Sequence, residues 1–133
     1  IIHCHRSPQD NIFSIFKNYF TGNKIPYASD LAEIVEYYNL YADLMNFWNK
    51  LIPNFILNLK YENLINDTEK EVKILLNYCD LSWENNCLEF HKNKRPIKTA
   101  SDTQVRNKIY NSSINKWKKY ERFLEKYYVK LKS

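Results

Sequence analysis

The stretch that decides the fold is Ile1-Ile2-His3-Cys4-His5-Arg6-Ser7-Pro8-Gln9-Asp10. Its β-branched pair, followed by small or polar residues, predicts a short strand over residues 1–5. Directly afterwards, Ser7 at an N-cap position, Pro8 at the first helical position and Asp10 at capping-box spacing predict the start of a helix. The chain therefore opens on a strand that turns at once into a helix.

Hydrophobic periodicity predicts the remaining elements. Apolar residues at spacings of three and four indicate a long helix over about 28–52, which Pro53 ends. The run Phe55-Ile56-Leu57-Asn58-Leu59 is short and apolar, as is typical of a buried parallel strand. Two strands with a helix between them form part of a parallel sheet with crossover connections. The other expected elements are helices over 8–20, 68–79 (with Thr68 and Glu71 as a capping box) and 113–131, and a loop-rich segment 80–112 with one helical turn near 86–91.

These patterns predict a mainly helical α/β fold with about two short parallel strands and four or more helices. A length of 133 residues corresponds to one domain, and no apolar run approaches the roughly 18 residues of a membrane span. Three cysteines, an odd number without metal-type spacing, favour a reducing compartment, so we expect a cytoplasmic protein. His3 and His5 alternate along the first strand without a third ligand in the pattern, so no metal site is predicted.

The chain is basic, with a net charge of +5 that lies mostly in its later part. A field of this sign raises the local concentration of anions. A solvated helix face is nevertheless the favoured interpretation of five of the later lysines: Lys118, Lys119, Lys126, Lys130 and Lys132. Lysines interleaved with Trp117, Tyr120 and Tyr127 are compatible with a non-catalytic basic helical module that binds RNA or an acidic protein. No recognised nucleic-acid motif is present, so a nucleic-acid partner is not the favoured prediction.

Two candidate binding residues follow from the predicted topology. Arg6 and Tyr61 each lie just past the C-terminal end of a predicted strand, where parallel sheets bind their ligands, so both are expected on one rim. A phosphate favours a fork of donors, a helix N-terminus and a hydroxyl, which Arg6, the turn amides and Ser14 offer. The simpler interpretations are a capped helix at the first position and an aromatic ring packed on the sheet edge at the second.

Three stretches, in order along the chain, resemble the sulfotransferase family. Residues 1–10 resemble its strand, Arg-x-Pro-x-Asp turn and helix. Leu59-Lys60-Tyr61-Glu62-Asn63-Leu64 resembles its strand-ending Tyr-Glu-Asp-Leu, with Asn63 where Asp is usual. The run 101–121 is similar to the C-terminal signature of bacterial sulfotransferases and of the related tyrosylprotein enzymes. The resemblance therefore spans nearly the whole chain.

The resemblance implies transfer of a sulfuryl group from 3′-phosphoadenosine 5′-phosphosulfate (PAPS) to a hydroxyl acceptor, with release of adenosine 3′,5′-bisphosphate. It implies that Arg6 and Ser14 hold the 3′-phosphate and that Tyr61 faces the adenine side. Ser101 and Lys116, spaced as in the tyrosylprotein enzymes, would lie near the phosphosulfate, where a lysine neutralises charge on the leaving phosphate. A solvated surface lysine is the alternative interpretation of Lys116. Three other basic residues are alternatives for that charge: Arg95, Arg106 and Lys108.

The family's glycine-rich phosphosulfate loop has no counterpart in this sequence. Such a loop needs several glycines, whereas the chain has one, Gly22. We therefore expect residues 1–133 to be a single domain that corresponds to the C-terminal half of a sulfotransferase, without the phosphosulfate loop and the base. A parallel sheet cut in this way leaves unpaired edges and apolar surface, so self-association as a symmetric homodimer is expected. The hydroxyl acceptor is left open by these stretches.

Overall fold

A computed structural model of the chain describes residues 1–18, 25–93, 106–107, 109 and 112–132. Helices predominate in this part of the chain, and two short strands pair in parallel, which confirms the predicted mainly helical α/β class. The chain divides into two compact units. Unit 1 comprises Ile1, Arg6–Ile56 and Ser113–Ser133, and unit 2 comprises Ile2–His5 and Leu57–Ser112.

The described elements match most of the predicted ones in type. In chain order they are β1 (Ile2–His5), α1 (Pro8–Lys17), a 3₁₀ helix (Pro26–Ser29), α2 (Leu31–Leu51), β2 (Leu57–Lys60), α3 (Tyr61–Asn66), α4 (Thr68–Tyr78), two further 3₁₀ helices (Asn85–Lys92 and Lys116–Tyr120) and α5 (Glu121–Tyr128). The strand predicted at 55–59 begins two residues later, and β2 passes at once into α3, which the sequence analysis did not predict. Among these helices, none is both long and apolar enough to cross a membrane.

Unit 2 is built on the parallel pair β1 and β2, against which α3 and α4 pack. The register sets Ile2 opposite Leu57 and His5 opposite Lys60, so the two strands end at the same level. Since side chains alternate along a strand, His3 and His5 share one face of the sheet. Their rings stack with centroids 5.4 Å apart. Leu59 is the buried residue of β2.

Unit 1 has a small core between α1 and α2. Ile12 from α1 and the pair Ile34 and Val35 from α2 are fully buried and in contact. Leu124 brings α5 into the buried part of the unit. Partly buried apolar and aromatic residues surround this core: Ile15, Tyr27, Leu31, Tyr38, Tyr127, Tyr128 and Leu131.

Both predicted capping boxes are wrong. Ser7 is the N-cap of α1, but its side chain makes no cap bond and donates to Gln9 Oε1 at 2.9 Å. The N-cap of α4 is Asp67, which accepts from the Lys70 amide at 3.1 Å. Because a single residue separates α3 from α4, Thr68 is already helical and its hydroxyl donates back to the Leu64 carbonyl at 2.8 Å. The cap of α2 is a carboxylate too: Asp30 Oδ1 accepts from the amides of Ala32 and Glu33.

The long C-terminal helix predicted over 113–131 is shorter in the structure. Residues 112–115 form turns, a 3₁₀ helix follows, and the α-helix begins only at Glu121. Asn115 has a φ of 59°, in the left-handed region that asparagine tolerates better than most residues, and this breaks helical geometry at that point. The helical turn predicted near 86–91 is confirmed as the 3₁₀ helix Asn85–Lys92. The first helix, predicted over 8–20, ends at Lys17, because Asn18 already has an extended backbone. Residues 19–24, including Gly22, lie outside the described residues.

Candidate functional site

Arg6, the first residue after β1, is held by a backbone carbonyl and a carboxylate among the described residues of unit 1. Its Nη2 donates to the Ser113 carbonyl at 3.0 Å and lies 3.8 Å from Asp10 Oδ2. The Arg6 side chain keeps 22% of its surface exposed, whereas that of Asp10 keeps 1%. The guanidinium is therefore held in one orientation at the start of α1 while part of it still faces solvent.

Asp10 is the buried carboxylate of unit 1. Besides facing Arg6, its Oδ2 accepts from the Asn115 amide at 2.8 Å. Its Oδ1 is buried with no hydrogen-bond partner in the part of the chain that the structure describes. The first turn of a helix favours a negative charge, because its amide groups point toward that end. Asp10 thus orients Arg6, and it does so from inside α1 instead of capping it.

The segment after Ser112 docks on α1 through several contacts. Tyr128 donates from its hydroxyl to the Gln9 carbonyl at 3.0 Å, and its ring meets Trp117 edge-on with centroids 5.5 Å apart. Phe13 of α1 and Tyr120 lie 5.2 Å apart. Burial, and then the negative charge of Asp10, raises the pKa of Tyr128 to about 12. The two ends of unit 1 are therefore joined by polar and aromatic contacts around Arg6 and Asp10.

The predicted site residues are distributed over both units. Arg6, Ser14 and Lys116 belong to unit 1, and Tyr61 belongs to unit 2. The structure brings Arg6 together with the segment that carries Lys116, because Arg6 and Asp10 bind Ser113 and Asn115. Ser14 is a partly buried residue of α1, and Lys116 is exposed at the start of its 3₁₀ helix.

Tyr61 is partly buried at the first position of α3, directly after β2, as its position past a strand end predicts. Ser101 lies outside the described residues, and so do Arg95 and Lys108.

The histidines of β1 form a polar cluster in unit 2. His3 Nδ1 and Asn58 Oδ1 are 2.7 Å apart across the strand pair. Burial lowers the pKa of His5 below its usual 6.5, the positive charges of His3 and Lys60 lower it further, and Glu62 opposes the shift. Among the described residues, no group of three or more His, Cys, Asp or Glu side chains is arranged to hold a metal ion.

Sequence reasoning missed the backbone groups that complete the cluster around Arg6. The Ser113 carbonyl and the Asn115 amide carry no side-chain signal, and they lie 107 and 105 residues from their partners in the chain. A groove of about 570 Å³ is formed by the same segment, with Gln9, Trp117 and Tyr128 among its lining residues. The sequence signal for the turn before the 3₁₀ helix Lys116–Tyr120 is Asn115, because asparagine tolerates the left-handed backbone conformation found there.

Comparison with known proteins identifies the family of this chain. Residues 1–85, more than half of the chain, match the sulfotransferase family, and this range includes both the Arg6-x-Pro8-x-Asp10 turn and the Tyr61-Glu62 stretch. A protein of Aquifex aeolicus (strain VF5), described as uncharacterised, is 39% identical over 126 residues, which cover 93% of this chain and 17% of the relative. The chain thus spans less than a fifth of the length of that relative. No solved structure matches this chain. By the extent of the family match, the chain belongs to the sulfotransferase family.

Proposed function

We propose that the chain supplies the 3′-phosphate and adenine side of a PAPS site in a sulfotransferase that acts on a hydroxyl acceptor. In the proposed reaction the acceptor oxygen attacks the sulfur atom, and the bond between sulfur and the bridging phosphate oxygen breaks. Adenosine 3′,5′-bisphosphate leaves, and the acceptor proton passes to a base that is not among the proposed residues of this chain.

The observation that carries this proposal is the orientation and partial exposure of the Arg6 side chain. Its guanidinium is a planar fork of donors, already oriented by Ser113 and Asp10, and it stands at the N-terminus of α1 with part of its surface exposed. A helix N-terminus favours an anion, and a charge-assisted hydrogen bond contributes about 1.5–3 kcal/mol. A terminal phosphate group matches this combination in charge and in hydrogen-bonding geometry.

The other residues have proposed roles around the same cofactor. Ser14 lies two helical turns after Ser7, on the same side of α1, and would donate its hydroxyl to the 3′-phosphate. Tyr61 would contact the adenine ring. Ser101 and Lys116 would contact the phosphosulfate, where the ammonium group stabilises the charge that develops on the leaving phosphate.

Calorimetry with two nucleotides tests the assignment of Arg6. We expect adenosine 3′,5′-bisphosphate to bind about 10–100-fold more tightly than 5′-AMP, since the two differ in the 3′-phosphate that Arg6 would hold. Arg6→Ala should abolish this preference, whereas Ser14→Ala should reduce it. Arg122→Ala is the matched control, because Arg122 is an exposed arginine of the same unit on α5, and it should leave the preference unchanged.

Equal binding of the two nucleotides by the unmodified chain would overturn the proposal. A parallel titration with single-stranded RNA separates the second interpretation. Tight RNA binding that Arg6→Ala leaves intact, together with equal nucleotide binding, would favour the basic helical module instead.

A further inference from the structure

Helix α2 carries two apolar faces, of which one forms the core of unit 1 and the other is largely exposed. At the start of the exposed face, the Tyr37 ring stacks on Tyr27 with centroids 4.2 Å apart. Ile34 and Val35 point into the core. A second row of apolar residues lies on a different side of the helix at alternating spacings of three and four, the pattern of a coiled-coil seam. Its members are all more than half exposed in the described structure: Tyr37 at 52%, Leu40 at 62%, Leu44 at 53%, Phe47 at 54% and Leu51 at 56%.

This row is continuous along most of α2. Trp48, 39% exposed, widens it along one edge. A contiguous exposed apolar patch of this kind marks an interaction surface, since single exposed apolar residues are normal on a protein but extended rows are not. We call it the α2 seam, and it comprises the five residues above together with Trp48.

Charges along the other edge of the α2 seam indicate what covers it. Charged residues recur at seven-residue spacing along this edge, each one position before a residue of the seam. Glu36 precedes Tyr37, Asp43 precedes Leu44, and Lys50 precedes Leu51. Asp43 is already neutralised, because its Oδ2 accepts from Lys132 Nζ at 2.6 Å. Neither Glu36, near the start of the helix, nor Lys50, near its end, forms an ion pair within the part of the chain that the structure describes. Their opposite charges are available to a partner across the seam.

An antiparallel pairing of two α2 helices buries the apolar row and also brings opposite charges together at its edge. In the register that sets Leu40 opposite Leu44 of a second copy, Tyr37 lies opposite Phe47 of that copy. The flanking positions then meet, as they do in antiparallel coiled coils, and Glu36 faces Lys50 of the second copy twice around the two-fold axis. The two Asp43 carboxylates meet at the axis itself, each paired with Lys132 of its own copy. A parallel pairing would set Glu36 against Tyr41 and would pair no opposite charges.

We propose that the α2 seam is the interface of a two-fold symmetric homodimer of this chain, in which the two α2 helices pack antiparallel. The interface is isologous, so each residue of the seam is buried twice per dimer. This inference rests on α2 and on the ion pair of Asp43 with Lys132, and it is independent of the proposed cofactor site.

Sedimentation velocity of the full chain tests the position of the interface. We expect the unmodified chain to sediment as a dimer at micromolar concentration. Leu44→Glu buries two unpaired carboxylates at the centre of the seam and should weaken dimerisation at least about 100-fold. Asn46→Glu adds the same charge to an exposed position on another side of α2 and should leave the dimer intact. Circular dichroism of each variant confirms that the helices are retained.

A charge exchange tests the orientation of the two helices. Glu36→Lys alone sets like charges against each other at both flanks and should weaken the dimer about tenfold. The double variant Glu36→Lys/Lys50→Glu exchanges the two charges and should restore the original affinity. A monomeric unmodified chain, a dimer insensitive to Leu44→Glu, or a double variant no better than Glu36→Lys would each overturn the proposal.

Discussion

At the scale of single residues, Asp10 is a buried carboxylate that links Arg6 to the segment after Ser112. One carboxylate faces the Arg6 guanidinium at 3.8 Å and accepts from the Asn115 amide at 2.8 Å while it is almost fully buried. Removing it would leave the Asn115 amide without its acceptor and the partly buried Arg6 guanidinium without its carboxylate, although Arg6 would keep the Ser113 carbonyl. Losses of this kind are larger than the loss of a surface ion pair, because the remaining partner keeps its desolvation cost.

We therefore predict that Asp10→Ala lowers the free energy of unfolding by about 2–3 kcal/mol. Asp10→Asn keeps an acceptor for Asn115 and loses only the charge, so it should lower the free energy by about half as much. Urea denaturation measures both values. Glu69→Ala is the control, since the ion pair of Glu69 with Lys73 is half exposed and should contribute less than about 0.5 kcal/mol. An Asp10→Ala variant as stable as Glu69→Ala would contradict the role of Asp10.

His5 gives unit 2 a predicted dependence on pH. Its pKa is lowered in the folded protein by burial and by His3 and Lys60, so the unfolded chain binds the proton more readily. Stability is then fully present above pH 6.5 and decreases as the pH falls through that value. We expect the urea concentration at the unfolding midpoint to decrease when the pH is lowered from 7.5 to 5.5. In His5→Asn this decrease should be smaller. An unchanged decrease in His5→Asn would assign the effect to other groups.

The identities of Arg6 and Asp10 as neighbours were predictable from sequence, because their spacing around Pro8 fixes both at one helix start. Their partners were not. Ser113 and Asn115 contribute main-chain atoms, and a main-chain atom gives the same signal at every position of a sequence. Only the fold, which returns the chain to α1 after more than 100 residues, selects them.

At the scale of elements, the sequence predicted α1, α2 and both strands, missed α3 and misplaced the start of α5. The stripes of α1 and α2 and the apolar run of β2 contain enough residues to distinguish a helix from a strand. Helix α3 has six residues, fewer than two turns, so its periodicity is too short to detect. The start of α5 was misplaced because Asn115 leaves helical geometry in a segment whose apolar spacing continues regardless.

The N-cap of α2 allows the contribution of cap hydrogen bonds to helix stability to be measured. Asp30 Oδ1 accepts from the Ala32 amide at 2.6 Å and from the Glu33 amide at 3.2 Å. We expect Asp30→Ala to lower the free energy of unfolding by about 1 kcal/mol, whereas Asp30→Asn or Asp30→Ser, which keep a side-chain acceptor, should lower it by less than half of that. Thermal unfolding followed by far-ultraviolet circular dichroism measures the difference. Equal losses in all three variants would mean that the charge of Asp30, and not its cap bonds, stabilises α2.

At the scale of the whole molecule, the composition restricts what the chain does alone. A single glycine is too few for a loop whose backbone amides surround a phosphosulfate. Holding one end of a cofactor orients it but supplies neither stabilisation of the transferred group nor a proton acceptor.

We therefore predict no detectable sulfuryl transfer by the purified 133-residue chain with PAPS and a panel of hydroxyl acceptors. Mass spectrometry of the acceptors measures the product, and a complete sulfotransferase serves as the positive control for the assay. Turnover by the unmodified chain would contradict this prediction. If Arg6→Ala abolished that turnover, residues 1–133 would carry the whole reaction.

The composition of unit 1 has a consequence for how the protein is made. This unit draws on Arg6–Ile56 and again on Ser113–Ser133, so α1 emerges from the ribosome long before the residues that bind Arg6 and Asp10. At typical rates of translation, about 5–20 seconds separate the synthesis of Arg6 from that of Ser113. During that interval Asp10 lacks its Asn115 partner, and α1 is held mainly by its contacts with α2 and with the 3₁₀ helix Pro26–Ser29. A ribosome stalled just before Ser113 would consequently display α1 as a protease-sensitive segment, and synthesis of the remaining 21 residues of this chain would protect it.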